Sequence, residues 1–346
     1  LPWKGPDLYG TALIKNCSES NIFEASCIVP NLSGDIIGNE GPLFFWLVSS
    51  AWDLVRSFFA NSTAISLKSY FLDDFARIFQ IFFVILGLTL SWFGAKKLAL
   101  RRESRPIDPL GIGPTAHNFS SNIATCSLLL NLSCLGLIMQ WHEVSNVGLS
   151  FFFQALAFFA LTESPEKPEK NGLVFGLSTL GLLFSAGLST CVSYWMSAII
   201  LLVFFHPWNL VRKKVLSISG ILFSLLLIAF TVFVVNTDVE KNIIKIWFIS
   251  QLTGSSFQPL HLVKTWLWTW WPLWPIILTL IIKSHPKSFK DSPHLILPLV
   301  LFASLTIIPL SGALNSAEVK FVPIVPLSIL AAFGLLSLPK GIANLI

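Results

Sequence analysis

Residues 75–98 read FARIFQIFFVILGLTLSWFGAKKL. No charged side chain falls between Arg77 and Lys96, and the stretch closes on Lys96-Lys97. A helix that crosses a bilayer needs roughly 17–25 predominantly apolar residues, and its flanks carry basic residues on the cytoplasmic side. This stretch meets both conditions. Eight further apolar runs follow, at about 117–140, 147–162, 172–188, 190–206, 215–235, 266–283, 294–312 and 321–338. The sequence therefore predicts an all-α integral membrane protein with about nine transmembrane helices.

Composition agrees. Apolar residues make up 54% of the 346 and charged residues 12%, against about 25% charged in an ordinary soluble domain. A soluble surface needs that charge, and a lipid-facing surface excludes it. Thirteen Trp and thirty Phe suit interfacial aromatic belts. A net charge of +5 does not indicate nucleic-acid binding, because Lys and Arg sit in short clusters between apolar runs. If all nine runs cross, the connections 96–116, 163–171, 207–214, 283–293 and 339–346 share one side. That side holds 14 Lys/Arg against 6 Asp/Glu, and the other holds 9 against 12. Lys96-Lys97, Arg101-Arg102 and Arg212-Lys213-Lys214 thus mark the cytoplasmic face.

Residues 1–40 are polar and turn-rich. The run 41–59 carries Asp53 and Arg56 on one helical face, which suits a helix lying in the interface. Residues 1–74 then form an exoplasmic first loop ending in an interfacial juxtamembrane helix, and 75–346 form the multi-span domain. The chain opens on Leu1 and stops at Ile346, and it reads as lacking an upstream span and a C-terminal region.

Polar residues on the outer side are the candidates for chemistry. Asp73 and Asp74 precede a span and read as helix-start residues. His142-Glu143 lie in a connection of about six residues, pinned at the membrane surface. Lys264 precedes the tryptophans 266, 268, 270 and 271; it reads either as part of an interfacial belt or as a point charge for a lipid phosphate. Lys320 pairs with Glu318 or reaches such a phosphate. Cys17 and Cys27 lie where a disulfide is permitted, and a bridge and two separate thiols are both open. No zinc spacing, Walker loop, dinucleotide fingerprint or nucleophile elbow occurs.

Several segments resemble the C-type glycosyltransferases, in particular the bacterial branch with lipid A aminoarabinose transferases and protein O-mannosyltransferase-like enzymes. Trp3-Lys4-Gly5-Pro6-Asp7-Leu8-Tyr9 resembles the opening Trp-x-Pro-Asp-Glu-x-x-Tyr, and Val29-Pro30-Asn31-Leu32-Ser33-Gly34 resembles Val-Pro-x-Leu-x-Gly. Asn39-Glu40-Gly41-Pro42-Leu43-Phe44-Phe45-Trp46 resembles Glu-Lys-Pro-Pro-Leu-x-Tyr-Trp. Asp73-Asp74-Phe75-Ala76-Arg77 and Val319-Lys320-Phe321-Val322-Pro323 match later segments. There are departures. Leu8 replaces the Glu after the Asp, Asn39-Glu40 replaces Glu-Lys, and Asn146 stands where the family often has a second outer-loop Asp.

The resemblance implies transfer of a sugar from a polyprenyl-phosphate donor to lipid A, another glycolipid or a protein, outside the bacterial cytoplasmic (inner) membrane, with the site facing the periplasm. It implies Asp7 as the base, with Glu143 as a second catalytic carboxylate. Tyr9, Glu40, His142, His261, Lys264 and Lys320 would bind substrate. Glu40 and Glu143 could also hold a divalent metal, the one cofactor the resemblance leaves room for. Membrane lipids are the remaining partners. Two other readings stand beside it: a polytopic transporter or lipid flippase, which would need charges at mid-membrane and paired broken helices, and a catalytically inactive relative.

Overall fold

A computed structural model describes every residue except 1–4, 20–24, 30, 33–34, 37–40, 60–69, 107–111, 139, 237–240, 254–258, 284–291, 313, 315–322 and 337–346. The chain opens with α1 (Gly5–Glu19), α2 (Ala25–Ile28), a two-residue antiparallel pair β1 (Asn31–Leu32) and β2 (Asp35–Ile36), and α3 (Leu43–Phe59). A bundle follows: α4 (Tyr70–Leu100), α5 (Ala116–Ser133), α6 (Leu135–Ile138), α7 (Val147–Glu163), α8 (Pro168–Ser185), α9 (Leu188–Phe204) and α10 (Arg212–Val235). The last part holds α11 (Lys241–Leu252), α12 (Pro259–Thr269), α13 (Leu273–Lys283), α14 (Pro293–Leu310) and α15 (Ile324–Leu335).

Two helices show why this sequence needs lipid. Every residue of α15 from Ile324 to Gly334 is buried. A helix apolar all round belongs inside a protein, and α15 is enclosed by α5, α13 and α14. In contrast, the most apolar 18-residue window of α10 has a mean hydropathy of 2.7, yet only 11% of it is buried. Ile221, Leu225, Ile228 and Val232 face outward from it. An exposed apolar wall of that length is stable against hydrocarbon, not water.

Each apolar run of the sequence becomes helix, but the crossings are fewer by length than the nine expected. Among the described residues three helices are long and apolar enough, Leu72–Leu100, Arg212–Val235 and Pro293–Leu310. The run 266–283 is not a straight span. It divides into α12 and α13, bent by 96°, with Pro272 in the break. Counted as one crossing, the pair brings the number to four. The helices Val147–Glu163, Leu188–Phe204 and Ile324–Leu335 are apolar but shorter. At 1.5 Å per residue a 17-residue helix covers about 26 Å, less than the roughly 30 Å hydrocarbon core.

α4 is the spine. Gly87 and Gly94 on it leave room for the rings of Phe151 and Phe158 from α7. At its C-terminal end three of the connections assigned to one side by charge, 96–116, 163–171 and 207–214, come together. Lys97 Nζ lies 3.1 Å from Glu163 and 3.4 Å from Glu166, between α7 and α8. Arg101 donates to the Thr162 carbonyl at 3.1 Å and stacks over Trp208. Lys214 pairs with Glu169 at 3.2 Å. The Glu163 side chain is 7% exposed and that of Lys97 34%, so removing the lysine strands a largely buried carboxylate. Lys97→Met is expected to cost about 2 kcal/mol, read as a lower unfolding midpoint in detergent. A midpoint unchanged from wild type would show that the pair contributes nothing.

At the opposite end, α3 buries Phe44, Phe45, Val48 and Trp52, while Asp53, Leu54 and Phe58 are exposed. That division is the amphipathic pattern read from 41–59. Asp73 lies in the first turn of α4, and Asp74, one residue further on, pairs with Arg77 at 3.6 Å.

Candidate active site

At one end of the bundle, helix ends meet around the short connection 140–146 that joins α6 to α7. Three segments converge on it. The first is α1. A Cβ at Gly10 would collide with the Val144 carbonyl, so the helix backbone lies directly on the loop. Leu13, Ile14, Val144 and Leu149 share one apolar cluster with Phe44, Phe45 and Trp52, and Tyr9 packs against it. The disulfide Cys17–Cys27 ties α1 to α2, so the bridge reading of these cysteines holds. The Trp46 indole donates to the Cys27 carbonyl at 2.6 Å, fastening the same strap to α3.

The second segment is the start of α3. Asn146, buried at the start of α7, donates through Nδ2 to the Gly41 carbonyl at 2.9 Å. Gly41 also lies against the Phe184 carbonyl at the end of α8, where a Cβ has no room. Gly41 is therefore clamped between α7 and α8, and that clamp fixes where the chain leaves toward Glu40.

The third is α4. Gln80, wholly buried, donates through Nε2 to the Gln140 carbonyl at 3.0 Å and to Ser145 Oγ at 3.2 Å. Buried polar groups must be paired, and this one is spent on holding both ends of the loop. Sequence reasoning missed Gln80. The available signal was a lone amide inside a charge-free run, where an unpaired amide is costly.

The sequence-derived candidates fall into three groups. Tyr9, half-buried on α1, and His142 and Glu143, on the loop it touches, are brought together. His142 is exposed, and Glu143 is 7% exposed. Asp7 belongs with them by position, in the first turn of α1, though its side chain lies outside the described residues. His261 and Lys264 form the second group, exposed on α12. That helix touches the rim through its C-terminal end: Cys134 Sγ donates to the Thr269 carbonyl at 2.8 Å, and Gly136 packs on Thr269. Lys264 and His261 stand five and eight residues back, about 7 and 12 Å along the axis. Glu40 and Lys320 lie outside the described residues. Among the described residues no three His, Cys, Asp or Glu side chains group as a metal site.

No protein-family model matches the sequence, and no curated protein matches it. Solved structures do. ArnT from Cupriavidus metallidurans bound to undecaprenyl phosphate aligns over 97% of this chain with a TM-score of 0.64 and 15% identity. The same protein in its apo state aligns over 99% with a TM-score of 0.65 and 12% identity. The chain spans 56–57% of the length of those proteins. Over nearly its whole length, this chain shares the fold of ArnT.

Proposed function

We propose that this protein transfers a sugar from a polyprenyl-phosphate donor to a glycolipid or protein acceptor at the outer face of the bacterial inner membrane. What supports this most is the convergence of α1, Gly41 and the loop 140–146 at one rim of a fold whose solved counterpart holds undecaprenyl phosphate. About nine crossings, with α3 lying in the outer interface, complete the reading.

The chemistry is displacement at the anomeric carbon. The acceptor hydroxyl attacks, its proton passes to a carboxylate, and the carbon–oxygen bond to the phosphate breaks. Asp7 is the base in this scheme. Glu143, on the loop that α1 touches, is the second carboxylate and orients the acceptor. Tyr9 and Glu40 flank the sugar. The polyprenyl phosphate leaves as an anion, so hydrogen-bond donors and positive charge must face it; His142, His261, Lys264 and Lys320 supply them. No step is routed through a metal.

The test is turnover. Purified protein in nanodiscs is given a panel of polyprenyl-phosphate sugars, including aminoarabinosyl and mannosyl donors, with lipid A and peptide acceptors. Release of polyprenyl phosphate that depends on acceptor is expected for one donor. No release from any donor with any acceptor would overturn the proposal and leave a transporter or an inactive relative.

A further inference from the structure

A groove of about 370 Å³ opens on the lateral surface of the bundle between α4 and α5. Ile85, Leu88, Thr89 and Trp92 line it from α4, and Leu128 and Leu132 from α5. Its few polar atoms are occupied. Thr89 Oγ1 donates to the Ile85 carbonyl at 2.8 Å, and the Trp92 indole points at Thr125 Oγ1, 3.4 Å away. The groove therefore presents hydrocarbon to the membrane.

One end of the groove is cationic. Lys96 Nζ sits 4.7 Å over the Trp92 ring and 3.4 Å from Nε2 of the exposed His117. Three of its neighbours at this end of the bundle have partners: Lys97 in Glu163 and Glu166, Arg101 in the Thr162 carbonyl, Lys214 in Glu169. Among the described residues Lys96 makes no ion pair. Among the described residues this positive charge has no counter-charge, and it stands at the foot of an apolar groove.

The spacing fits one leaflet. Ile85 stands eleven residues from Lys96 on α4, and Leu128 eleven residues from His117 on α5. Each separation is about 16 Å along the helix, close to half of the roughly 30 Å hydrocarbon core. By the charge sorting this end faces the cytoplasm, where the leaflet is anionic. A second copy of the chain is the poorer occupant, because a two-fold contact through this face sets Lys96 against Lys96.

We infer that the α4–α5 groove seats an acyl chain of an anionic phospholipid of the cytoplasmic leaflet, with its phosphate on Lys96 and His117. The test uses purified protein in mixed micelles with phosphatidylglycerol or phosphatidylcholine of identical acyl chains, and counts retained lipid by native mass spectrometry. Wild type should retain phosphatidylglycerol about fivefold better, the effect of one basic residue near a phosphate. Lys96→Gln should abolish the preference while keeping phosphatidylcholine. Leu88→Trp and Leu128→Trp fill the groove from opposite walls, and each should cut retention of both lipids tenfold or more. If one of the two does not fold, the other carries the measurement. Equal retention of both lipids by wild type, a preference surviving in Lys96→Gln, or full retention in the folded tryptophan variant would each overturn the inference. So would a dimer of the chain that retains no lipid.

Discussion

Asp7→Asn is expected to lower sugar transfer by about 10²–10⁴-fold, the usual contribution of a positioned general base, while leaving the fold intact. Asp7 lies in the first turn of α1. The leading N–H groups of a helix are unpaired within it and favour a negative charge beside them. The rival role is purely structural, an acid serving the helix start. Asparagine separates the two. It caps and orients nearly as well as aspartate, but it cannot accept the proton of an attacking hydroxyl. A base therefore predicts a collapse in turnover with an unchanged unfolding midpoint. A structural acid predicts little change in either. Initial rates with a labelled donor, beside thermal unfolding in the same detergent, decide between them. A rate within about threefold of wild type would remove Asp7 from the chemistry.

Much of the fold was legible because lipid imposes a simple grammar. Each apolar run became helix, and the runs 172–188 and 190–206 divide at Ala186-Gly187, where Gly187 adopts φ +88°. Three of the five connections that charge put on one side do share one end of the bundle, since Lys97, Arg101 and Lys214 meet residues of the 162–169 stretch there. The breaks were less legible. Pro272 gave a local hint of the bend after α12, because proline disrupts a helix. The break at Cys134 had none. Its thiol bonds to Thr269, 135 residues away, and no local pattern encodes such a partner.

The site divides in the same way. Spacing put His142 and Glu143 in a tight outer connection, and the order of short motifs linked Asp7, Glu40 and that connection. What positions them is long-range. Asn146 reaches Gly41 across 105 positions, and Gln80 reaches Ser145 across 65. The burial of Glu143, on a loop at the rim, likewise follows from what packs over the loop and not from its length.

Gly10→Ala tests whether the contact of α1 with the loop matters to function. The substitution would ordinarily stabilise a helix, since alanine exceeds glycine there by about 1 kcal/mol. At Gly10 the added Cβ meets the Val144 carbonyl and Val144 Cγ1. A backbone carbonyl held in a short loop cannot rotate aside as a side-chain tip can. The helix must therefore move away, carrying Asp7 and Tyr9 from the loop with His142 and Glu143. Overpacking of this kind costs about 1–3 kcal/mol, so the intrinsic gain is cancelled or reversed. The functional effect is expected to be larger than the stability effect. A displacement of about 1 Å between reacting groups can cost 10²-fold in rate, and here the displaced element bears the proposed base. Gly220→Ala is the matched control. It lies in α10 with nothing within 4 Å of its added Cβ, and it should gain up to about 1 kcal/mol with transfer unchanged. Measured per folded molecule, a hundredfold loss at Gly10 beside full activity at Gly220 would place the chemistry at the α1–loop contact. Full activity at both would separate that contact from the chemistry, however well the rim is packed.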